Sequence, residues 1–205
     1  MKYIVPVLFV LACSFNAMAA DELEPGLTGE YYKIGAEVPD FPTLAADAKP
    51  AAKKVDKEIN FESTDSDFNA TMLSEQFYVR WTGVVKTAKD GKYTFFTESD
   101  DGSRVFIDGK QVVDNNGLHA MEEKSGEVEL KAGDHDLKVE FFQNAGGAGC
   151  KFSWQGTDLP KEIVPAKALF HKKDAPKVDA PKVPDAPKAA DAPKAPDAPK
   201  VEEKK

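Results

Sequence analysis

Gly91-Lys92-Tyr93-Thr94-Phe95-Phe96-Thr97-Glu98-Ser99-Asp100-Asp101-Gly102-Ser103-Arg104-Val105-Phe106-Ile107-Asp108-Gly109-Lys110 is the stretch whose reading decides the fold. Tyr93 and Phe95 alternate with polar neighbours, which is the period of a half-buried strand and not of a helix. Asp108-Gly109 lies between Val105-Phe106-Ile107 and Val112-Val113. That pair predicts a tight hairpin, because a primed two-residue turn requires positive φ at both central positions. Ser99-Asp100-Asp101-Gly102 predicts a second turn on composition alone.

The same rhythm extends outward. Phe77, Val79 and Trp81, then Val128 and Leu130, then Leu137, Val139 and Phe141, then Phe152 and Trp154 all alternate. Lys89-Asp90-Gly91, Ala132-Gly133-Asp134 and Asn144 to Gly149 supply the turn chemistry between them. Leu27 to Lys33 is predicted as the first strand. Many short strands at near-regular spacing imply an all-β antiparallel sandwich or barrel. Two stretches break the pattern. Ala45 to Lys57, rich in Ala and Lys and holding Pro50, is expected as a solvated loop with a short helix, and Asp65 to Leu73 as a further surface segment.

The ends of the chain have different chemistry. Met1-Lys2, the apolar run Tyr3 to Ala12 and Ala17-Met18-Ala19 form a secretory signal over 1–19, with maturation expected at Ala20. The apolar run is far shorter than the ~20 residues that span a bilayer. Val10-Leu11-Ala12-Cys13 competes as a lipobox, in which case Cys13 carries a lipid anchor. Either way Cys150 is the sole cysteine of the domain at 20–171, which excludes an intrachain disulfide there. From 172 to 205, Asp-Ala-Pro-Lys recurs at Asp174, Asp179, Asp185, Asp191 and Asp197. Such a segment has no large apolar side chain to bury, so a disordered, polyproline-like spacer is expected, with ~30 residues reaching roughly 90 Å. The chain carries a net charge of −8, the tail +2 and Lys2 +1, which leaves −11 on 20–171. An acidic domain excludes nucleic acid as a partner and favours cations or neutral sugars.

The order of elements also resembles the protective-antigen-type (PA-fourteen) domain of bacterial toxins, glycosidases and fungal adhesins and flocculins. The residues that carry the resemblance are Gly26-Leu27-Thr28-Gly29-Glu30-Tyr31-Tyr32, Phe77 to Gly83, the stretch quoted first, Leu130-Lys131-Ala132-Gly133, Leu137 to Phe142, and Trp154. The likeness runs from Gly26 to about Phe170. It implies a β-sandwich that binds carbohydrate, and in the adhesin branch one calcium ion held by paired aspartates joined through a cis peptide, an Asn and carbonyls of a later loop. The matching positions here are Asp100, Asp101 and Asn144. After Ala145 the chain departs from that pattern, with Gly146-Gly147-Ala148-Gly149 and no aromatic.

Elementary chemistry is compatible with such a site. Calcium takes six to eight oxygen ligands, and adjacent carboxylates supply two to four of them. The plain alternative is an acidic turn of the ordinary kind. Glycoside hydrolysis needs two carboxyls ~5 Å or more apart on opposite sides of a bond, a separation that neighbours on one turn do not offer. His119, His135 and His171 are expected at the surface, Trp81 and Trp154 in the core, and Asp108 in its turn. The expectation is a noncatalytic, calcium-assisted carbohydrate-binding or surface-adhesion module, secreted or in the cell envelope, with a glycan or envelope component as partner. The other class left open is a structural protein-interaction domain in which calcium only stabilises.

Overall fold

The computed structural model describes residues 22–173. The signal segment, Cys13 and the repeats from Asp174 lie outside the described residues. The strands are β1 (Leu23–Pro25), β2 (Leu27–Lys33), β3 (Ala52–Asp56), β4 (Asn60–Thr64), β5 (Phe77–Thr87), β6 (Gly91–Asp100) and β7 (Ser103–Ile107). They continue with β8 (Lys110–Asn115), β9 (Glu122–Leu130), β10 (Gly133–Gln143), β11 (Ala148–Gly156), β12 (Leu159–Ile163) and β13 (Leu169–Lys172).

Two antiparallel sheets form a sandwich. One has eight strands, in the order β1-β13-β5-β10-β7-β8, with β2 sharing the outer edge of β5 with β13 and with β3 paired to β2. The other has five, in the order β12-β11-β6-β9, with β4 on β11. The alternation read from the sequence is the alternation of burial. Tyr93, Phe95, Thr97 and Ser99 of β6 point inward against Val79, Trp81, Val139 and Phe141 of the opposite sheet, and Trp154 joins them. Leu27–Lys33 is a strand as predicted. Asp108 (φ 49) and Gly109 (φ 76) both take the left-handed conformation that the primed turn requires.

Register in the larger sheet is fixed by charge as well as by apolar pattern. Lys53, Glu30, Arg80, Glu140, Arg104 and Asp114 lie opposite one another on successive strands from β3 to β8, alternating in sign. Arg80 bonds Glu30 at 2.7 Å and Arg104 bonds Glu140 at 2.5 Å. A one-residue slip of any strand would turn its charge towards the core, so the row opposes slippage.

One expectation is corrected and a second is refined. The stretch 45–57 holds no helix. Its second half is β3, drawn into the sheet by pairing with β2, and Asp56 is buried where it accepts bonds from the Tyr31 hydroxyl (2.5 Å), the Trp81 indole (2.9 Å) and Asn69 (2.9 Å). The stretch 65–73 lies mostly at the surface as expected, with Met72 92% exposed, but it sends Phe68, Thr71 and Leu73 into the interior. Phe68 is 1% exposed and Leu73 5%, and the Phe68 ring packs at tilted angles among Tyr31, Phe61, Phe77 and Phe141. Asn69 (φ 51), Ala70 (φ 54) and Met72 (φ 60) make the sharp path that lets one ring drop inward from a loop without strand periodicity.

The two ends of the described chain pair with each other. The N–H of Lys173 donates to the Glu22 carbonyl (2.9 Å), and Leu23 pairs with Lys172. The last strand thus extends past His171. Truncation after Lys173 is expected to leave stability within ~0.5 kcal/mol of the full chain, whereas a cut after His171 removes part of this ladder and lowers it by more. Chemical denaturation of the two truncations decides between these outcomes.

The three histidines are half-buried and not free on the surface. His135 bridges Asp108 Oδ2 (2.8 Å) and the Lys131 carbonyl (2.9 Å). Burial pushes its pKa down, but the Lys131 carbonyl and then Asp108 outweigh it, and the net shift is upward. A raised histidine stabilises the fold fully below its unfolded value of about 6.5, and that contribution is lost as pH rises through the folded value. The unfolding midpoint is therefore expected to fall between pH 6 and 8, and His135→Gln to flatten that slope in a pH series of melts.

Candidate functional site

β6 ends at Asp100 and β7 begins at Ser103, so Asp100-Asp101-Gly102 is one of the connections between the two sheets. The Asp100–Asp101 peptide is cis. A Cβ on Gly102 would meet the Phe142 ring and lie 3.1 Å from Gly117 N, so only glycine lets this connection pass so close to its neighbours.

Asp101 is 5% exposed and is held through its backbone-facing oxygens. Oδ1 accepts from the His119 N–H (3.1 Å) and Oδ2 from the Asn144 N–H (2.9 Å), while its own N–H donates to Gln143 Oε1 (2.9 Å). The three residues picked out by sequence are thus brought together. The link from Asn144 to Asp101 is through its main chain, however, and its side-chain oxygen accepts from the Val38 N–H (2.8 Å). Val38 is anchored in a small apolar cluster with Tyr32, Tyr78 and Phe142, against which Ile34, Phe41 and Leu44 also pack. Phe41 stands edge-on to Phe142 at 4.9 Å. The 34–44 segment therefore fixes the rotamer of Asn144 from outside the sheet.

Asp100 differs from its neighbour. Among the described residues it takes no side-chain hydrogen bond and no ion pair. Burial pushes its carboxyl up, Asp101 and Asp65 add to the shift, and His119 opposes it. Asp65 was missed by sequence because it lies in a stretch with no periodicity, yet the fold lays it beside the glycine loop. A Cβ on Gly147 would be 3.4 Å from both Asp100 Oδ2 and Asp65 Oδ1, and 2.6 Å from Ser63 Oγ. No spacing rule links residue 65 to residue 147; β4 pairing with β11 does.

These residues fit a hard cation. The group offers carboxylate oxygens on two adjacent residues, Asp101 buried and Asp100 half-buried, and has no Lys or Arg on either of them among the described residues. Among the described residues there is no group of three or more His, Cys, Asp or Glu placed to hold a metal, and the His119 ring is occupied by the Ala120 (3.0 Å) and Asn115 (3.3 Å) carbonyls. That donor chemistry suits calcium with neutral oxygens completing its shell, and not a transition metal.

Comparison with known proteins places the fold. A family model described as PA14 domain matches residues 23–168. Anti-sigma-I factor RsgI3 of Acetivibrio thermocellus is 31% identical over 146 residues, which are 71% of this chain and 21% of that protein. The chain thus spans about a fifth of the length of that curated relative. An anti-sigma factor domain-containing protein from Clostridium clariflavum superposes with a TM-score of 0.62 at 28% identity, covering 74% of this chain and 49% of the other. A PA14 sugar-binding domain from an RTX adhesin gives a TM-score of 0.62 at 22% identity, covering 72% and 98%.

Proposed function

The chain belongs to the PA14 domain family, and from that premise we propose that it is a noncatalytic carbohydrate-binding module of the cell surface in which calcium assists. The observation that carries this reading is the Asp100–Asp101 pair, Asp101 buried and Asp100 half-buried, with no cationic partner among the described residues.

Asp100 and Asp101 would hold the ion, with Asn144 and carbonyls of the 144–147 loop completing the protein's share. Bound calcium supplies open coordination positions that two sugar hydroxyls can take in place of water. The chain's own residues do the rest. His119 and Asn144 N–H groups hold Asp101 in one orientation, Val38 holds Asn144, and Gly146 (φ 84) turns the loop backbone. Both carboxylates stand on one turn and so on one side of a bound sugar, which suits binding and not hydrolysis. The sugar-binding RTX adhesin module has the same fold. Affinity in the millimolar range, about 4 kcal/mol, is expected for a ligand held through two hydroxyls. A glycan array probed with calcium and with chelator tests the reading: calcium-dependent signal supports it, and calcium-loaded protein that binds no glycan turns the assignment to a docking domain.

A further inference from the structure

The stretch Gly146–Gly149 offers a ligand one small side chain at most, yet the surface beside it is built up by other loops. Asp100 and Gly149 are directly opposite each other on β6 and β11. Cross-strand partners point to the same face, so a Cβ on Gly149 would stand beside Asp100. That position lies 2.7 Å from the Met121 sulfur. The thioether of Met121 therefore fills the space next to Asp100 that glycine leaves vacant.

Met121 belongs to the connection between β8 and β9, which also wraps Asp101. Gly117 packs on Gly102, the His119 N–H bonds Asp101, and between them Leu118 is 52% exposed. A single exposed leucine is ordinary on a protein surface, but this one stands in the connection that holds Asp101. On the other flank the end of β4 brings a hydroxyl and a carboxylate, Ser63 and Asp65, against Gly147. The acid pair is thus set between an apolar rim and an acidic, hydroxyl-bearing one.

A hexopyranose is divided in the same way, with hydroxyl groups along its edge and C–H groups across a ring face. We propose that Leu118 and Met121 form an apolar subsite and Asp65 an anion-excluding rim, so that the site selects neutral hexopyranosides and rejects hexuronic acids. This inference rests on the calcium-assisted reading above. The glycine loop leaves room for a ring to approach, and the β8–β9 connection takes the place of the missing aromatic.

The test uses the full mature chain with methyl hexopyranosides and the corresponding hexuronic acids, titrated by NMR with calcium present, and calcium alone titrated by calorimetry. Leu118→Ser, at an exposed position, is expected to keep calcium affinity within about twofold while weakening the neutral sugar about tenfold, the size of one lost apolar contact. Adding Met121→Ala should weaken it further. Asp65→Asn is expected to raise hexuronic acid binding about tenfold with little change for the neutral sugar. Unchanged sugar affinity in Leu118→Ser with calcium dependence intact overturns the subsite and leaves the calcium reading standing. Uronic acids bound by wild type as tightly as neutral sugars overturn the role of Asp65. No binding of any panel sugar by calcium-loaded wild type overturns the inference, and no calcium uptake at all overturns the reading beneath it.

Discussion

Phe68→Ala is expected to lower the unfolding free energy by about 3–5 kcal/mol, enough to remove a large part of a domain's stability. The ring is 1% exposed, with centroids of Tyr31, Phe61, Phe77 and Phe141 between 5.1 and 6.5 Å away. Few side chains are free to collapse into the space it would leave, because β2, β4, β5 and β10 are each fixed by ladder bonds. The loss should also reach the site. Phe68 anchors the segment that follows Ser63 and Asp65, and Asp67 Oδ1 accepts from the Thr71 (2.8 Å) and Met72 (2.5 Å) N–H groups to close that turn. Urea denaturation measures the first effect. Phe68→Leu, which keeps most of the volume, should recover much of it, and a loss under 1 kcal/mol in Phe68→Ala would show that the ring is not part of the core.

The second large effect is at the acid pair, where the two aspartates are expected to respond with opposite signs. Asp101→Asn puts an amide donor against either the His119 or the Asn144 N–H, both of which now donate to carboxylate oxygens. Without calcium that leaves a buried donor unpaired and costs about 1–3 kcal/mol. Asp100→Asn removes a charge that burial, Asp101 and Asp65 all disfavour, and should raise the stability of the calcium-free protein. With calcium at a hundredfold excess over its dissociation constant, wild type gains roughly 2.7 kcal/mol by mass action. Both variants should lose most of that gain. Thermal melts in calcium and in chelator read all of these quantities, and a wild-type midpoint that chelator does not move removes the cation from the account.

Much of the fold was legible because strand periodicity and turn chemistry are local. Tyr93 and Phe95, or Val139 and Phe141, declare an inward face within a few residues, and Asp108-Gly109 encodes its own backbone conformation. Phe68 and Asp56 were not legible, since their burial depends on partners such as Tyr31, Trp81 and Phe141 that are distant along the chain and converge only after the sheets stack.

The sequence by itself determined an all-β chain with an inter-strand acidic turn at Asp100-Asp101, because alternation and positive-φ turns are properties of neighbouring residues. Its resemblance to the PA14 family singled out Asn144 as the companion of that turn. Only the tertiary structure decided what surrounds the turn: Val38 on Asn144, His119 on Asp101, Ser63 and Asp65 on Gly147, and Met121 in the space over Gly149. The physical reason is that each of these contacts is set by how β4 pairs with β11 and how the two sheets are offset where they join. Burial across the whole sandwich fixes those quantities, and no local pattern encodes them.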